Sequence, residues 1–342
     1  MSIRKKIFLF LLTVLLVVVV WQWELLSYGI KQGKGQLHIV LKSVELTELL
    51  ADPTFPDSLR AQIDVIQLAR EFAVQELGLK DTDNYTTYFD QQGEVSLWNV
   101  TACAPYAFTP KTWWFPIVGT VPYKGYFDKT KALAVAAELE AEGWDVRVRP
   151  VGGWSTLGWF RDPILSSMLE RSEGELAELI IHELTHSTVF ISNQVTFNEN
   201  LASFIGEQGA RLFLAAQYGD SSVQLRSYLN GERDSRLFTA YILQATKRLD
   251  SLYTSFPEDL AVELKQNRKQ EMIGQVRDGL ATVPFTDERY AQVFKNGLPN
   301  NAYFMSYVRY HSYSDSLNHV LETHFGDDIR EFVKEIKAQY GR

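Results

Sequence analysis

Five consecutive residues, His182-Glu183-Leu184-Thr185-His186, carry the most specific chemistry in this chain. On a helix, positions four apart lie about 40° from each other, so both imidazoles leave the same face. Two imidazoles so placed can bind one Zn2+ at adjacent tetrahedral corners. Glu183 lies about 100° round from His182, close enough to reach a water held there without itself ligating the metal. Leu176, Leu179, Ile180, Leu184 and Phe190 make the surrounding helix strongly apolar, which predicts burial. Burying two imidazoles and a carboxylate is costly unless they have partners or a task. A pair of core histidines with a salt-bridged Glu183 is therefore the weaker reading.

A catalytic zinc takes three protein ligands and keeps one position open. Cys103 is the only cysteine, which excludes a disulfide within the chain and a thiolate cluster, so the third ligand must be a carboxylate or another histidine. Ser172-Glu173-Gly174-Glu175 has capping-box spacing and predicts the start of the helix that carries the histidines. Thr196 and Glu199 repeat that spacing, which predicts a second helix with Glu199 in its first turn. Glu199 and, further along, Glu207 are both available. When bound, the metal would polarise a scissile carbonyl and lower the pKa of a water to about 7. Glu183 would take that water's proton and pass it to the leaving amine.

The elements that must position these groups fall into distinct stretches. Arg4, Lys5 and Lys6 precede an apolar run from Ile7 to Trp21, which carries the marks of an export signal. No small-x-small cleavage site follows. Extended through Trp23 to Leu26, the run predicts an uncleaved signal anchor over residues 1–27, spanning an inner membrane once. Residues 28–342 would then form the catalytic domain, in the periplasm; a cleaved signal peptide is the alternative. Gly29 to Leu79 reads as helical, broken by Pro53 and Pro56. Tyr85 to Phe127 reads as short strands and turns, with an edge strand or extended loop at Trp113 to Tyr123. Such an edge could receive an extended peptide, or its aromatic residues could pack the core. Asp128 to Glu142 predicts a helix ended by Gly143, and Val146, Val148 and Val151 a strand continuing the same sheet. A loop is expected from Gly152 to Pro163, and helices from Leu165 onward. The whole predicts an α+β domain, mostly helical with a small sheet. The net charge of −8, with no stripe of Lys and Arg, argues against a nucleic-acid partner.

Several stretches together resemble a known family. They are the basic-apolar N-terminus, the segment from Phe115 to Phe127, Trp159-Phe160-Arg161-Asp162-Pro163, the His182 motif, Phe197-Asn198-Glu199, Pro299-Asn300-Asn301-Ala302 and Tyr310. The combination is similar to the bacterial family described as predicted aminopeptidases, and it runs from about Tyr28 to near the C-terminus. Asn198-Glu199-x-x-Ala202 resembles the second-helix motif of gluzincin metallopeptidases, which implies Glu199 as the third zinc ligand beside His182 and His186 within a zincin-like domain. The same resemblance implies a peptide or protein substrate. It also implies a downstream Tyr or His at the developing oxyanion, for which Tyr310 and His311 are the candidates. Recognition of a free amino terminus would use acidic groups, with Glu173, Glu175, Glu178 and Glu207 available. Two departures stand out: no lipoprotein cysteine follows the apolar run, and the linker from His186 to Glu199 is shorter than in thermolysin-like peptidases. The rival from another class is a non-catalytic peptide- or cell-wall-binding protein that retains the fold.

Overall fold

The computed structural model describes residues 2–116, 119–152 and 161–341, with the backbone alone for residues 15, 18 and 19. The chain forms two units, Met1–Ser43 and Val44–Arg342. The first contains α1 (Ile3–Trp21) and α2 (Trp23–Lys42), separated by Gln22 at φ −97° and ψ 16°. The single span expected from Ile7 through Leu26 is not what forms. The apolar run stops with α1 at Trp21, and α2 is amphipathic, carrying Glu24, Lys31, Lys34 and Lys42. A run that ends there falls short of the about 20 residues a crossing helix needs. Among the described residues no helix is long and apolar enough to cross a membrane.

The second unit is mostly helical, with three small sheets in place of the one expected. Strand β1 (Val44–Glu45) pairs antiparallel with β2 (Thr87–Phe89), and β2 pairs parallel with β8 (Ile164–Leu165). Strand β3 (Trp98–Cys103) lies between β6 (Lys124–Tyr126) and β7 (Asp145–Pro150), antiparallel to both. A hairpin of β4 (Trp113–Phe115) and β5 (Gly119–Val121) stands apart. Its prolines explain the separation: Pro116 and Pro122 remove donors that a continuous ladder would need. Ile117, Val118 and most of the loop predicted across 152–163, with Trp159 and Phe160, lie outside the described residues. Arg161 is described, and its guanidinium donates to both oxygens of Glu45, tying the loop's end to β1.

Helices cover these sheets. After α3 (Leu46–Ala51), α4 (Asp57–Gln75) starts behind Pro56 and buries Ile63, Ile66, Ala69 and Ala73, a stripe at helical spacing. Helix α5 (Lys129–Ala141) crosses from β6 to β7; Asp128 caps it, accepting from Thr130 N at 2.9 Å, and Gly143 at φ +88° ends it. A 3-10 turn (Ser166–Glu170) leads into α6 (Glu173–Thr188) and α7 (Val195–Tyr218). Gly219, at φ +87°, breaks the chain before α8 (Val223–Thr254) and α9 (Val262–Gly279). Helices α10 (Asn301–His311), α11 (Ser314–Phe325) and α12 (Ile329–Tyr340) complete the unit.

One buried polar junction joins the sheet to the last helices. The Lys269 ammonium on α9 donates to Asp145 on β7 at 2.6 Å and to the Pro105 carbonyl at 3.0 Å, while 1% exposed. The same Asp145 oxygen accepts from Asn301 N at 2.7 Å. Asn301 further donates to the Ala104 carbonyl and accepts from the Tyr253 hydroxyl, and Asn300 donates to the Val146 carbonyl. The Pro299-Asn300-Asn301-Ala302 stretch thus docks the start of α10 on β7. Below it, Phe238, Ile242, Ile273, Phe294 and Phe304 share one core, each such side chain adding about 2 kcal/mol by burial. Removing one partner of a buried ion pair leaves an uncompensated charge. Lys269→Met is therefore expected to lower the unfolding free energy by about 3 kcal/mol, read from urea denaturation. A loss within the range of an exposed pair, under about 1 kcal/mol, would show the junction to be weak.

Candidate metal centre

The centre is built on an antiparallel helix pair. Ser172 starts α6 with a complete capping box, its backbone N–H donating to the Glu175 carboxylate at 2.9 Å. Helix α7 begins at Val195, two residues ahead of the start expected behind a Thr196 cap, and no side chain caps it. Thr196 therefore lies inside the helix, and Glu199 falls in the second turn rather than the first. Asn198 takes over the junction: its amide accepts from Ile191 N at 2.9 Å and donates to Ile191 O at 2.8 Å, which closes the short loop from α6. Two glycines then let the helices approach. A Cβ on Gly206 would stand 3.0 Å from the Glu178 carbonyl and 3.3 Å from the His182 Cβ, and one on Gly209 would stand 2.9 Å from Ile181.

This approach brings Glu199 onto the histidine face. The Nε2 atoms of His182 and His186 are 3.1 Å apart, and each lies 3.6 Å from one Glu199 oxygen. A tetrahedral centre with ligand bonds of about 2.1 Å spaces its ligand atoms by roughly 3.4 Å. The three donors are spaced close to this value, and they are the group among the described residues that could hold a metal ion. His182 Nδ1 faces the Ser203 hydroxyl at 3.5 Å, a contact that orients the ring. His186 Nδ1 is buried with no hydrogen-bond partner among the described residues. Glu207, the competing carboxylate, lies two turns further along α7 beside Glu178, and burial with that neighbour's charge pushes it up to about 7. Glu178 itself accepts from the Tyr228 hydroxyl at 2.8 Å. Glu175 serves the cap.

Charge is unevenly shared here. Burial pushes the Glu199 carboxyl up, but the charges of His186 and His182 and their hydrogen bonds outweigh it and hold it well below the usual range. For His186, burial acts to lower the pKa, and Glu199 outweighs it and raises it. Glu183, 7% exposed on the same helix, is pushed above the ordinary carboxylate range by burial, against the pull of both histidines.

The rim comes from α10 and from the segment after β5. Asn200, next to Glu199, donates to the Arg309 carbonyl and accepts from Tyr313 N at 2.8 Å, pinning the end of α10 against the start of α7. Tyr310 and His311 accordingly stand beside the centre. Burial pushes the Tyr310 phenol up to about 12, so it keeps its proton; its oxygen accepts from Arg149 at 3.2 Å, which leaves the O–H free to donate. His311 is driven down to about 4 by burial and by His182, and it is neutral at pH 7. Three groups were not singled out from the sequence. Tyr123 lies within electrostatic reach of both Glu199 and Glu183. Its placement follows from Gly119, at φ +76°, against which Asn193 of the α6–α7 loop packs while accepting from Thr120 N. Arg309 is 4% exposed and senses Glu199 and Tyr123. Tyr85 is fully buried at φ +62°, its hydroxyl without a partner among the described residues and within reach of Glu183. Nothing in a sequence marks a tyrosine for left-handed backbone; such strain is held by surrounding structure and gathers at functional sites.

At the level of class, the chain is a peptidase-family protein. A model of the family described as Putative aminopeptidase matches residues 27–340, and the chain belongs to that family. No curated protein and no solved structure matches it. The family resemblance read from the sequence is thus borne out over most of the chain.

If the close approach at Gly206 sets the distance between Glu199 and the histidines, Gly206→Val should weaken Zn2+ binding about tenfold or more while the chain stays helical. Metal titration followed by calorimetry, with circular dichroism as the control, reads this. Unchanged affinity would mean that the helices can part without moving the donors.

Proposed function

We propose that this chain is a zinc metallopeptidase of the gluzincin kind, acting as an aminopeptidase on peptide or protein substrates. The observation that carries the reading is the triangle of His182, His186 and Glu199 with Glu183 buried beside it. Family membership supports the peptide substrate. His182, His186 and Glu199 would hold the ion, which when bound supplies Lewis acidity and a water of lowered pKa.

The chain's own groups divide the remaining work. Glu183 accepts the attacking water's proton and returns it to the amine nitrogen as the peptide C–N bond breaks, so protons balance within one turnover. Its buried setting supports this role, because a carboxyl pushed upward is a stronger base. Negative charge developing on the carbonyl oxygen needs a donor. Tyr310 offers one with a free O–H, and Tyr123 stands nearby. Glu178, within electrostatic reach of His182, and Glu207 beside it are the acidic groups offered to a free amino terminus.

The variants separate these roles. Glu183→Gln should keep about one zinc per chain and lose at least about a hundredfold in kcat. Glu199→Ala should lose the metal as well as the activity, measured by elemental analysis beside peptide hydrolysis. A parent chain that stays folded, metal-free and inert after zinc addition would fit a binding protein instead. Because the base must be deprotonated, kcat/KM should fall as pH drops through the raised Glu183 pKa. The acid limb is expected above the usual value of about 4.3 for a glutamate. A limb at or below that value would remove Glu183 from the role.

Placement at the inner membrane, with the catalytic unit facing the periplasm, is supported by Arg4, Lys5 and Lys6 ahead of the apolar run and by large apolar side chains exposed on α1, among them Phe8 and Phe10. Cell fractionation should find the chain with membranes, and deletion of residues 1–27 should release it. Recovery of the intact chain in the soluble cytoplasmic fraction would refute this placement.

A further inference from the structure

Beside the metal centre lie three guanidinium groups that the hydrolytic chemistry does not use. Arg147 and Arg149 are two residues apart on β7 and share one face of it. That face meets α10. Arg147 donates to the Ser306 hydroxyl at 3.0 Å and lies 4.5 Å over the Tyr303 ring. Arg149 donates to the Tyr310 hydroxyl at 3.2 Å and lies 5.9 Å from the centre of that ring. Arg309, on α10 itself, is 4% exposed, and its guanidinium makes no hydrogen bond or ion pair among the described residues. The three are close enough to feel one another: Arg147 senses Arg149 and Arg309, and Arg309 senses Arg149.

Their partners are aromatic rings and hydroxyls, not acids. Among the described residues no carboxylate stands within ion-pair distance of any of the three. Neither internal segment outside the description, 117–118 or 153–160, carries an acidic side chain to supply one. The charge of Glu199 reaches Arg309, but that carboxylate faces His182 and His186. Guanidinium groups stay charged in proteins. Three of them gathered in a partly desolvated place repel one another unless an anion joins them. Their planar forks fit a carboxylate, and Arg149 and Arg309 both act on Tyr310, which Arg149 hydrogen-bonds and Arg309 precedes on α10.

We propose that Arg309 and Arg149, backed by Arg147, form a subsite for the free terminal carboxylate of the substrate, so that the chain prefers short peptides with an unblocked C-terminus. The inference rests on the peptidase reading for its substrate and on the arginine geometry alone for its anion. A short peptide would present its amino end to the acidic side of α6 and α7 and its carboxylate to β7 and α10.

The test uses the zinc-loaded full chain and three matched peptides: Ala-Leu-Ala, its C-terminal amide, and an amide that carries a glutamate side chain. The free acid should be cleaved about 10- to 100-fold more efficiently than either amide, the range for hydrogen bonds to a charged group. The acid-to-amide ratio should fall toward one in Arg149→Gln and in Arg309→Lys, chiefly through KM for the acid. Arg149 is partly exposed, so its variant guards against misfolding at the buried Arg309. In parallel, binding of N-acetyl-leucine and of N-acetyl-leucinamide to Glu183→Gln is measured by calorimetry, which needs no turnover. The acetylated acid should bind, the amide should not, and Arg149→Gln in that background should abolish binding. Equal cleavage of acid and amide overturns the subsite and leaves the peptidase reading standing. Equal cleavage of the free acid and the glutamate-bearing amide overturns recognition of the terminus. No cleavage of any peptide, with Arg149-dependent binding of N-acetyl-leucine, overturns the peptidase reading and keeps the subsite. Neither cleavage nor binding overturns both.

Discussion

The close approach of α6 and α7 is the constraint on which the candidate centre depends. Two histidines on one face of a helix are only half a site, and the carboxylate that completes it belongs to another helix. Gly206 and Gly209 allow the two axes to come near enough for a single Glu199 oxygen to face both rings at 3.6 Å. The contact is apolar as well as close, since Leu176, Ile180, Ile181, Leu201 and Ile205 are all buried around it. In such surroundings an unpaired imidazole or carboxylate is costly, and their mutual attraction is correspondingly strong. Burial and pairing therefore work together: Glu199 is held ionised by the histidines it faces, while Glu183, buried with less compensation, is pushed the other way.

The sheet and the last helices serve the same centre from further off. Asp145, Lys269 and Asn301 lock the start of α10 to β7, and Asn200 locks its end to α7 beside Glu199. Held at both ends, α10 presents Arg309, Tyr310 and His311 to the centre with little freedom. The β4–β5 hairpin is fixed in turn through Gly119 and Asn193, which sets Tyr123 opposite. Acidic groups then lie along α6 and α7, and basic groups along β7 and α10. A centre with charge of opposite sign on two sides is suited to a ligand that is itself dipolar, as a short peptide is.

Much of this organisation was legible beforehand, for reasons that are local. Capping chemistry at Ser172 depends on residues three apart, and that helix starts where the spacing placed it; the helix read from Asp128 also starts there, with Asp128 as its cap. Pro56, Gly143 and Gly219 end or begin elements because each restricts or frees its own backbone. The helix cap expected at Thr196 falls instead at Gln194, because Asn198 reaches back to Ile191 and satisfies the loop from within the helix. The division into three sheets was likewise hidden, since strand pairing is settled by partners distant in the chain. The N-terminal run was read as one span because hydropathy averages over Gln22, whereas the backbone turns there.

By itself the sequence determined which atoms can act: His182 and His186 on one helical face, Glu183 beside them, and membership in a peptidase family across residues 27–340. These follow from spacing along a single helix and from residue types, which need no tertiary contact. The meeting of Glu199 with both histidine rings, the strained Tyr85, the nearness of Tyr123 and the gathering of Arg147, Arg149 and Arg309 were decided only by tertiary structure. Each depends on how closely separate elements pack. Period and propensity carry no record of that distance, which is set by glycines, buried amides and ion pairs whose partners lie far away in the chain.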